Sequence, residues 1–388
     1  MTEDVIDSGG RVVLTGISSR AFEHPADRTA LTALRQLTGF DQLIKAASGM
    51  LRERQYRLAY LASAVRVDER QFATVHSAFA DALTVLDVPE RPELYVSANP
   101  VPQATTLGVD RPFISLSSAM VDLMDVDELR FVLGHELGHV MSGHALYRTL
   151  LQHLMNLAAL VGWIPIGGLG LRAVIAALRE WERKSELSAD RAGLLAGQDV
   201  EASRRVHMKL AGGARLGEMD GDAFLEQASE YESAGTLRDG ILKLLNTERS
   251  SHPFTAVRAL ELRRWATDGG YEQVLAGDYP RREDDGNARF SDDARDAARG
   301  YKERFENSGD QLVGALRQVG DTVGQAAGGL SGWLRNLGTP PAGQQPGTEQ
   351  PGSQQSGAGQ PGAGQPAGES EPDAGESDGD DPFGSGTE

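Results

Sequence analysis

The sequence predicts an α+β fold that is mostly α, with one small β-sheet and a C-terminal tail that has no core. Three observations lead to this prediction. Apolar residues recur at helical spacing from about residue 20 to residue 90. Short runs with strand character lie near residues 93 to 116. From Thr339 onward, Gly-, Pro- and Gln-rich repeats alternate with acidic runs, and such a composition predicts disorder.

These composition changes divide the 388 residues into four parts. We expect a helical N-terminal region at residues 1–90 and a domain that holds the sheet at residues 91–270. A helical, amphipathic segment follows at residues 271–338. The acidic tail, predicted to be disordered, takes up residues 339–388.

The composition also excludes several classes of function. The chain has no cysteine, which excludes a disulfide framework and a thiolate metal site. Its net charge is −18, and the tail from Thr339 holds nine acidic residues and no Lys or Arg. Basic residues are nowhere clustered enough to predict nucleic-acid binding. The acidic N-terminus lacks the pattern of a signal peptide, so the sequence predicts a cytoplasmic protein.

The pentapeptide HELGH carries the strongest chemical signal. Asp125 is expected to cap its helix, with Glu128 completing a capping box. His135 and His139 stand four residues apart, so both imidazoles project from one face of that helix. Two such nitrogens suit a zinc ion, and Glu136 beside the first of them can hold a water on that ion.

A zinc ion held by two histidines needs a third protein ligand. His144 does not fit a three-histidine pattern and points away from the ligand face, so we interpret it as a structural histidine. Glu186 and Asp190 again stand four residues apart, on a second predicted helix. Glu186 is the better candidate for the third ligand, and Asp190 for an acceptor of the free ring N–H of a zinc histidine. The same spacing also fits a solvated pair on an amphipathic helix.

Four segments in order resemble the gluzincin metallopeptidase family that includes HtpX and the CAAX prenyl proteases. They are ELYVSANPVPQATTLGVDRPFISLSSAMVDLM, HELGHVMSGHA, ELSADRAG and SSHPFTAVRALEL, and together they span about residues 90 to 265. The chain differs from many relatives in having Gln103-Ala104 where they have Asn-Ala, which concerns substrate contacts rather than the zinc site. The resemblance implies a zincin-like catalytic domain over residues 91–270.

The resemblance also implies one zinc ion per chain, held by His135, His139 and Glu186, with Asp190 behind them. The implied activity is that of a zinc-dependent metalloendopeptidase with a protein or peptide substrate. In it, Glu136 serves as general base and then as general acid on a water held by the zinc ion. The alternative is a catalytically silent scaffold or interaction protein that keeps the zincin fold.

For substrate contacts the sequence leaves alternatives open. An extended peptide is expected to add to an exposed sheet edge, formed by residues 104–109 or by residues 113–116. His252 and Arg258 are candidates to reach the cleft and stabilise the oxyanion. Alternatively, the His-Pro pair at this point only starts a helix.

Residues 154–171 form an uncharged run of 18 residues, the minimum for a membrane-spanning helix. A single crossing would place His139 and Glu186 on opposite sides of the membrane, and two crossings need roughly 40 apolar residues. The run therefore predicts a helical hairpin, with its tip at residues 162–168. That tip is expected to pack on the domain or to dock on a membrane surface or a partner.

Residues 310–338 carry an apolar seam with a period of about 3.5 residues that glycines interrupt. This pattern favours a weak amphipathic helix that orders when it covers the catalytic domain, lipid or another subunit. A loose linker with chance spacing is the alternative. The sequence thus predicts a cytoplasmic protein for which peripheral contact with the inner face of the membrane is one of these options, and it does not indicate an oligomeric state.

Overall fold

A computed structural model of the chain describes residues 6–7, 9–36, 53–108, 110–161, 168–233 and 254–285. The tail from Thr339, the amphipathic segment 310–338 and His252 lie outside these residues. So do all residues of the predicted hairpin tip except the last, Gly168.

The described residues form a mostly helical α+β fold, which confirms the predicted fold class. The helices are α1 (Pro25–Gln36), α2 (Glu53–Ser63), α3 (Ala73–Val85), α4 (Ser118–Leu123), α5 (Val126–Met141), α6 (His144–Val161), α7 (Gly168–Gly197), α8 (Val200–Gly212), α9 (Gly221–Ser233), α10 (Thr255–Thr267) and α11 (Gly270–Leu275). Short 3₁₀ turns lie at Ser19–Ala21, Leu216–Glu218 and Arg282–Asp284.

One sheet has the strands β1 (Val65–Arg66), β2 (Glu93–Ser97), β3 (Ala104–Leu107) and β4 (Phe113–Ser117), in the order β1-β2-β4-β3. β2 and β4 are parallel, whereas β1 and β3 run antiparallel to their neighbours. β3 therefore ends the described sheet and β4 lies inside it, which decides between the two edges that the sequence left open. The sequence did not predict β1, because two residues are too short to show an alternating pattern.

The HELGH helix, α5, begins with the predicted capping box. The Asp125 Oδ1 atom accepts the Glu128 N–H at 2.9 Å, and Glu128 Oε2 accepts the Asp125 N–H at 2.8 Å. Glu128 is completely buried and also accepts the Arg205 Nε–H at 3.1 Å. These contacts satisfy backbone donors of the first turn, so the helix starts at a defined residue.

Two glycines let α5 lie unusually close to α7. A Cβ atom on Gly134 would stand 2.3 Å from the Cβ of Ala196, and a Cβ on Gly138 would stand 2.6 Å from the Cβ of Ala192. Both distances are far below ordinary van der Waals contact, so only glycine fits at these positions. The close approach brings the Glu186 turn of α7 within reach of the two histidines of α5.

We expect Gly138→Ala to lower the free energy of unfolding by about 1–3 kcal/mol, because the overpacked helices must move apart. This loss should exceed the gain of about 1 kcal/mol in helix propensity. Gly197→Ala is the matched control, since a Cβ there would meet its nearest neighbour, Phe131, at 3.8 Å. Urea unfolding of both variants provides the measurement. Equal stability changes in the two variants would contradict the close-packing argument.

The main hydrophobic core joins the sheet to α3, α5 and the C-terminal half of α7. It also includes residues from both ends of the described chain. Leu14, Ile17 and Phe22 come from the N-terminal region, and Tyr271 and Val274 come from α11. The domain boundaries at residues 90 and 270 remain predictions, and this core draws residues from both sides of each.

A second core holds α1, α6 and the N-terminal half of α7 together. Its buried members are Leu34, Tyr147, Leu150, Leu151, Leu154, Val174, Ile175, Leu178 and Trp181. The packing of α6 on α7 confirms the predicted pair of helices on either side of residues 162–167. Within the described part of the chain, no helix has the length and the apolar character needed to cross a membrane.

Candidate metal centre

Potential ligand atoms from three side chains of α5 and α7 converge on one point. The His139 Nε2 atom lies 3.2 Å from His135 Nε2 and 3.3 Å from Glu186 Oε1. The His135 Nε2 atom lies 3.6 Å from Glu186 Oε2. Two ligands about 2.1 Å from a tetrahedral zinc ion lie about 3.4 Å apart, so the observed separations fit such an ion.

Hydrogen bonding behind His135 leaves its metal-facing nitrogen without a proton. The His135 Nδ1 atom lies 3.0 Å from Asp190 Oδ1, and an ionised carboxylate can only accept. The proton of a neutral His135 ring is therefore on Nδ1, and Nε2 presents a lone pair to His139 and Glu186. Electron-pair donors packed this closely repel one another unless a cation lies between them.

Burial and charge hold these groups in the protonation states that metal binding needs. His139 is completely buried and Glu186 is 4% exposed. Burial, and then the Arg148 guanidinium, hold the pKa of His139 well below its ordinary value, so its ring is neutral. Burial alone would raise the pKa of Glu186, but the Arg258 guanidinium, together with that of Arg148, holds this pKa well below its usual range. A neutral imidazole beside an ionised carboxylate is the form that ligates zinc.

Glu136 lies beside the cluster and is held from the sheet. It is 2% exposed, and the Thr106 hydroxyl donates to its Oε2 atom at 2.7 Å. Its other carboxylate oxygen, Oε1, lies 4.0 Å from His135 Nε2. Thr106 is in β3, so the strand at the end of the sheet orients the carboxylate that faces the candidate metal position. No motif in the sequence marks Thr106.

The structure places the buried guanidinium of Arg258 against two carboxylates of the cluster. Its role in stabilising an oxyanion stays a prediction. Its Nε–H donates to Asp190 Oδ2 at 2.7 Å, and its Nη1 atom lies 3.0 Å from Glu186 Oε2. Asp190 thus contacts both His135 and Arg258. The other oxyanion candidate, His252, lies outside the described residues.

Two further side chains complete the surroundings of the cluster. The Arg148 Nη1 atom lies 3.5 Å from Glu186 Oε1, and no hydrogen-bond partner is found for it among the described residues. The His144 Nδ1 atom lies 2.9 Å from His139 Nδ1, on the side of that ring away from Glu186. The sequence offered no signal for Arg148, which reaches the site only through the packing of α6 on α7.

Comparison with known proteins agrees with this geometry. The family model of Peptidase family M48 matches residues 69–266. The chain is 34% identical over 260 residues to the plastoglobule-localized metallopeptidase 48 of Arabidopsis thaliana, covering 66% of this chain and 74% of the relative. It is 28% identical over 201 residues to the protease HtpX of Nitrosococcus oceani, covering 44% and 64% respectively. No solved structure matches the chain.

The family match covers strands β2, β3 and β4, both helices that carry the converging side chains, and the part of α10 that holds Arg258. The curated relatives that share this segment are peptidases by name. The chain therefore belongs to peptidase family M48 and is a metalloprotease.

Proposed function

We propose that the chain is a zinc-dependent endopeptidase in which His135, His139 and Glu186 hold one zinc ion and Glu136 is the general base and acid. One observation carries this proposal. The ligand atoms of the three side chains lie within 4.8 Å of one another, all three side chains are buried, and the Glu136 carboxylate stands beside them.

Zinc in such a site supplies a Lewis acid that polarises a carbonyl group and acidifies a water molecule. The protein supplies the proton transfers. Thr106 holds one oxygen of Glu136, which leaves Oε1 to take a proton from the attacking water and to deliver it to the leaving amine. Because Glu136 is 2% exposed, bulk water does not compete for that proton.

We further propose that an extended peptide binds alongside β3. This strand ends the described sheet, and one of its edges is not paired with another strand of that sheet. Thr106 in β3 contacts Glu136, so a peptide that pairs with β3 runs past the proton-transferring carboxylate. Pairing through the backbone needs no particular side chains and suits a peptidase that acts on unfolded segments.

A catalytically silent scaffold is the weaker interpretation. A scaffold would need neither Glu136 nor the buried Thr106 hydroxyl that holds it. Burying an ionisable group costs free energy unless the group is compensated, so its presence favours a chemical role. The two interpretations differ in whether the zinc-loaded wild type cleaves peptides and in whether Glu136→Gln removes that cleavage.

The purified full-length chain should bind one zinc ion and cleave casein. Chelation should abolish both properties, and one equivalent of zinc should restore them. Glu186→Gln should lose most of the bound zinc, because a neutral amide is a poor ligand. Glu182→Gln, one turn earlier on α7, should keep it. Zinc measured by atomic absorption decides the ligand assignment. Cleavage that resists chelation, or full zinc in Glu186→Gln, would refute the corresponding claim.

We also propose a cytoplasmic location close to the inner face of a membrane. The curated relative that is named as plastoglobule-localized and chloroplastic supports a location at a membrane or in an organelle, and the cytoplasmic part of the proposal rests on the sequence alone. The segments proposed for membrane contact are residues 162–168 and 310–338. We expect the full chain to float with liposomes, and deletion of residues 310–338 to reduce the floating fraction. Sedimentation of both proteins away from the liposomes would exclude the membrane contact.

A further inference from the structure

The first turn of α1 contributes a carboxylate to the surroundings of the metal ligands. Asp27 is 2% exposed and is surrounded by donors. The Trp181 Nε1–H donates to its Oδ1 atom at 2.9 Å, and the Ser188 hydroxyl donates to Oδ2 at 2.6 Å. The Nε2 atom of His144 lies 3.1 Å from Oδ2. Asp27 is thus a buried, hydrogen-bonded anion that touches a histidine.

His144 connects this carboxylate to a metal ligand. The Nε2 atom of its ring faces Asp27, and its Nδ1 atom lies 2.9 Å from His139 Nδ1. His144 is 2% exposed and His139 is completely buried. Asp27, His144 and His139 therefore form a continuous buried chain, called the Asp27 relay below.

The relay has one consistent arrangement of protons when His139 is ready to bind a metal. Burial alone would raise the pKa of Asp27, but His144 is the main cause that holds this pKa below its ordinary value, so the carboxylate accepts from the His144 ring. The His144 proton then lies on Nε2, and His144 Nδ1 must accept from His139 Nδ1–H. This leaves a lone pair on His139 Nε2, the atom that faces Glu186.

We infer that Asp27 is a positioning residue for His139, acting through His144 to select the ring nitrogen that is free to bind the metal. The inference rests on the proposed zinc site. The inference assigns part of that site to α1, the helix that holds Asp27. This residue lies outside the residues 69–266 that the family model matches. His144, which the sequence suggested to be a structural histidine, is the link between Asp27 and His139.

A purely architectural role for Asp27 makes a different prediction. Trp181 and Ser188 donate to the same carboxylate and so join α1 to α7. Neither of them is part of the chain of contacts that runs from Asp27 through His144 to His139. If Asp27 only anchors α1, losing any of these contacts should lower stability and leave zinc affinity alone. If the relay operates, the contact through His144 should affect zinc affinity specifically.

Asp27→Asn tests the inference in the full-length chain. The amide that this substitution introduces has one oxygen that accepts and one N–H group that donates, whereas both oxygens of Asp27 accept. An amide N–H that faces the His144 Nε2–H conflicts with it. This conflict is relieved when the His144 proton moves to Nδ1. His139 must then carry its proton on Nε2. We expect zinc affinity, measured by competition with a chelator, to weaken about 10- to 100-fold. Side-chain ¹⁵N shifts of the metal-free protein should show His139 protonated on Nε2 instead of Nδ1.

Ser188→Ala is the matched control, because it removes a hydrogen bond to the same Oδ2 atom and spares the relay. Its zinc affinity should equal that of the wild type. Wild-type affinity together with the wild-type tautomer in Asp27→Asn would overturn the inference. A wild-type chain that binds no zinc would instead refute the proposed function.

His144 variants keep the inference testable if Asp27→Asn does not fold. His144→Asn retains an acceptor near His139 Nδ1 but no longer reaches Asp27, whereas His144→Leu removes both contacts. We expect zinc affinity to fall in both variants, and further in His144→Leu. Wild-type zinc affinity in both would also overturn the inference.

Discussion

Glu136→Gln is expected to lower kcat for casein or peptide cleavage by about 10²- to 10⁴-fold while the protein keeps one zinc ion per chain. The amide has nearly the shape of the carboxylate, so it still accepts the Thr106 hydroxyl through its oxygen. It cannot take a proton from water near neutral pH. The proposed ligands His135, His139 and Glu186 are unchanged, so metal content and catalysis should separate.

Thr106→Val is the graded control for this experiment. It removes the hydroxyl that holds the Glu136 carboxylate and keeps the shape of the side chain. Loss of a hydrogen bond to a charged group is worth about 1.5 kcal/mol, or roughly a tenfold loss of kcat. Steady-state kinetics with zinc analysis gives both numbers. Wild-type cleavage by zinc-loaded Glu136→Gln would remove Glu136 from the mechanism, whereas the absence of cleavage by the zinc-loaded wild type would favour a scaffold.

Arg258→Met is expected to lower the free energy of unfolding by about 3–5 kcal/mol in the presence of a chelator. Arg258 is buried and contacts both Asp190 and Glu186. Methionine fills much of the same volume but leaves two buried carboxylates without their main counter-charge. With zinc present the loss should be smaller, because the metal then offsets the charge of Glu186.

Arg263→Met provides the matched control on the same helix. The Arg263 side chain is 51% exposed, and its partner Asp222 is 77% exposed. Exposed pairs of this kind contribute about 0–1 kcal/mol, so this variant should unfold almost like the wild type. Urea titrations with and without zinc compare the two. A small, equal effect of both substitutions would show that the buried pair contributes no more than a surface pair.

The same ion pairs predict how stability depends on pH. Burial alone would raise the pKa of Asp190 and Glu186, but Arg258 holds both well below their ordinary values in the folded protein. The stability that these two carboxylates contribute is therefore present at pH values above the pKa that they have in the unfolded chain. It is lost as the pH falls through the pKa that they have in the folded protein. Acidification should destabilise the wild type more steeply than Arg258→Met, because the variant no longer depresses these two pKa values.

Much of the candidate site was predictable because its geometry is local. His135 and His139 share a face of α5 by helical periodicity alone, and so do Glu186 and Asp190 on α7. The capping box of α5 was predictable for the same reason, since its two residues stand three apart. Residues at such spacings lie on the same face or turn of a helix, wherever that helix lies in the fold.

Other parts depended on contacts that no local pattern carries. Thr106 reaches Glu136 across 30 residues of sequence, and Trp181 reaches Asp27 across 154. Arg258 was noticed in the sequence, but its position against two carboxylates follows from the packing of α10 on α7. The choice of β3 as the end of the sheet likewise follows from strand pairing between separate segments.

The sequence by itself indicated the family of this protein and its candidate metal site, because the proposed zinc ligands and base follow from residue type and from spacing along a helix. Only the tertiary structure decided what surrounds that site. The close contact at Gly134 and Gly138 brings Glu186 to the histidines, β3 orients Glu136, and α1 places Asp27 behind His139. Hydrogen bonds and ion pairs act over a few ångströms, so these partners become visible only when the folded chain brings distant segments together.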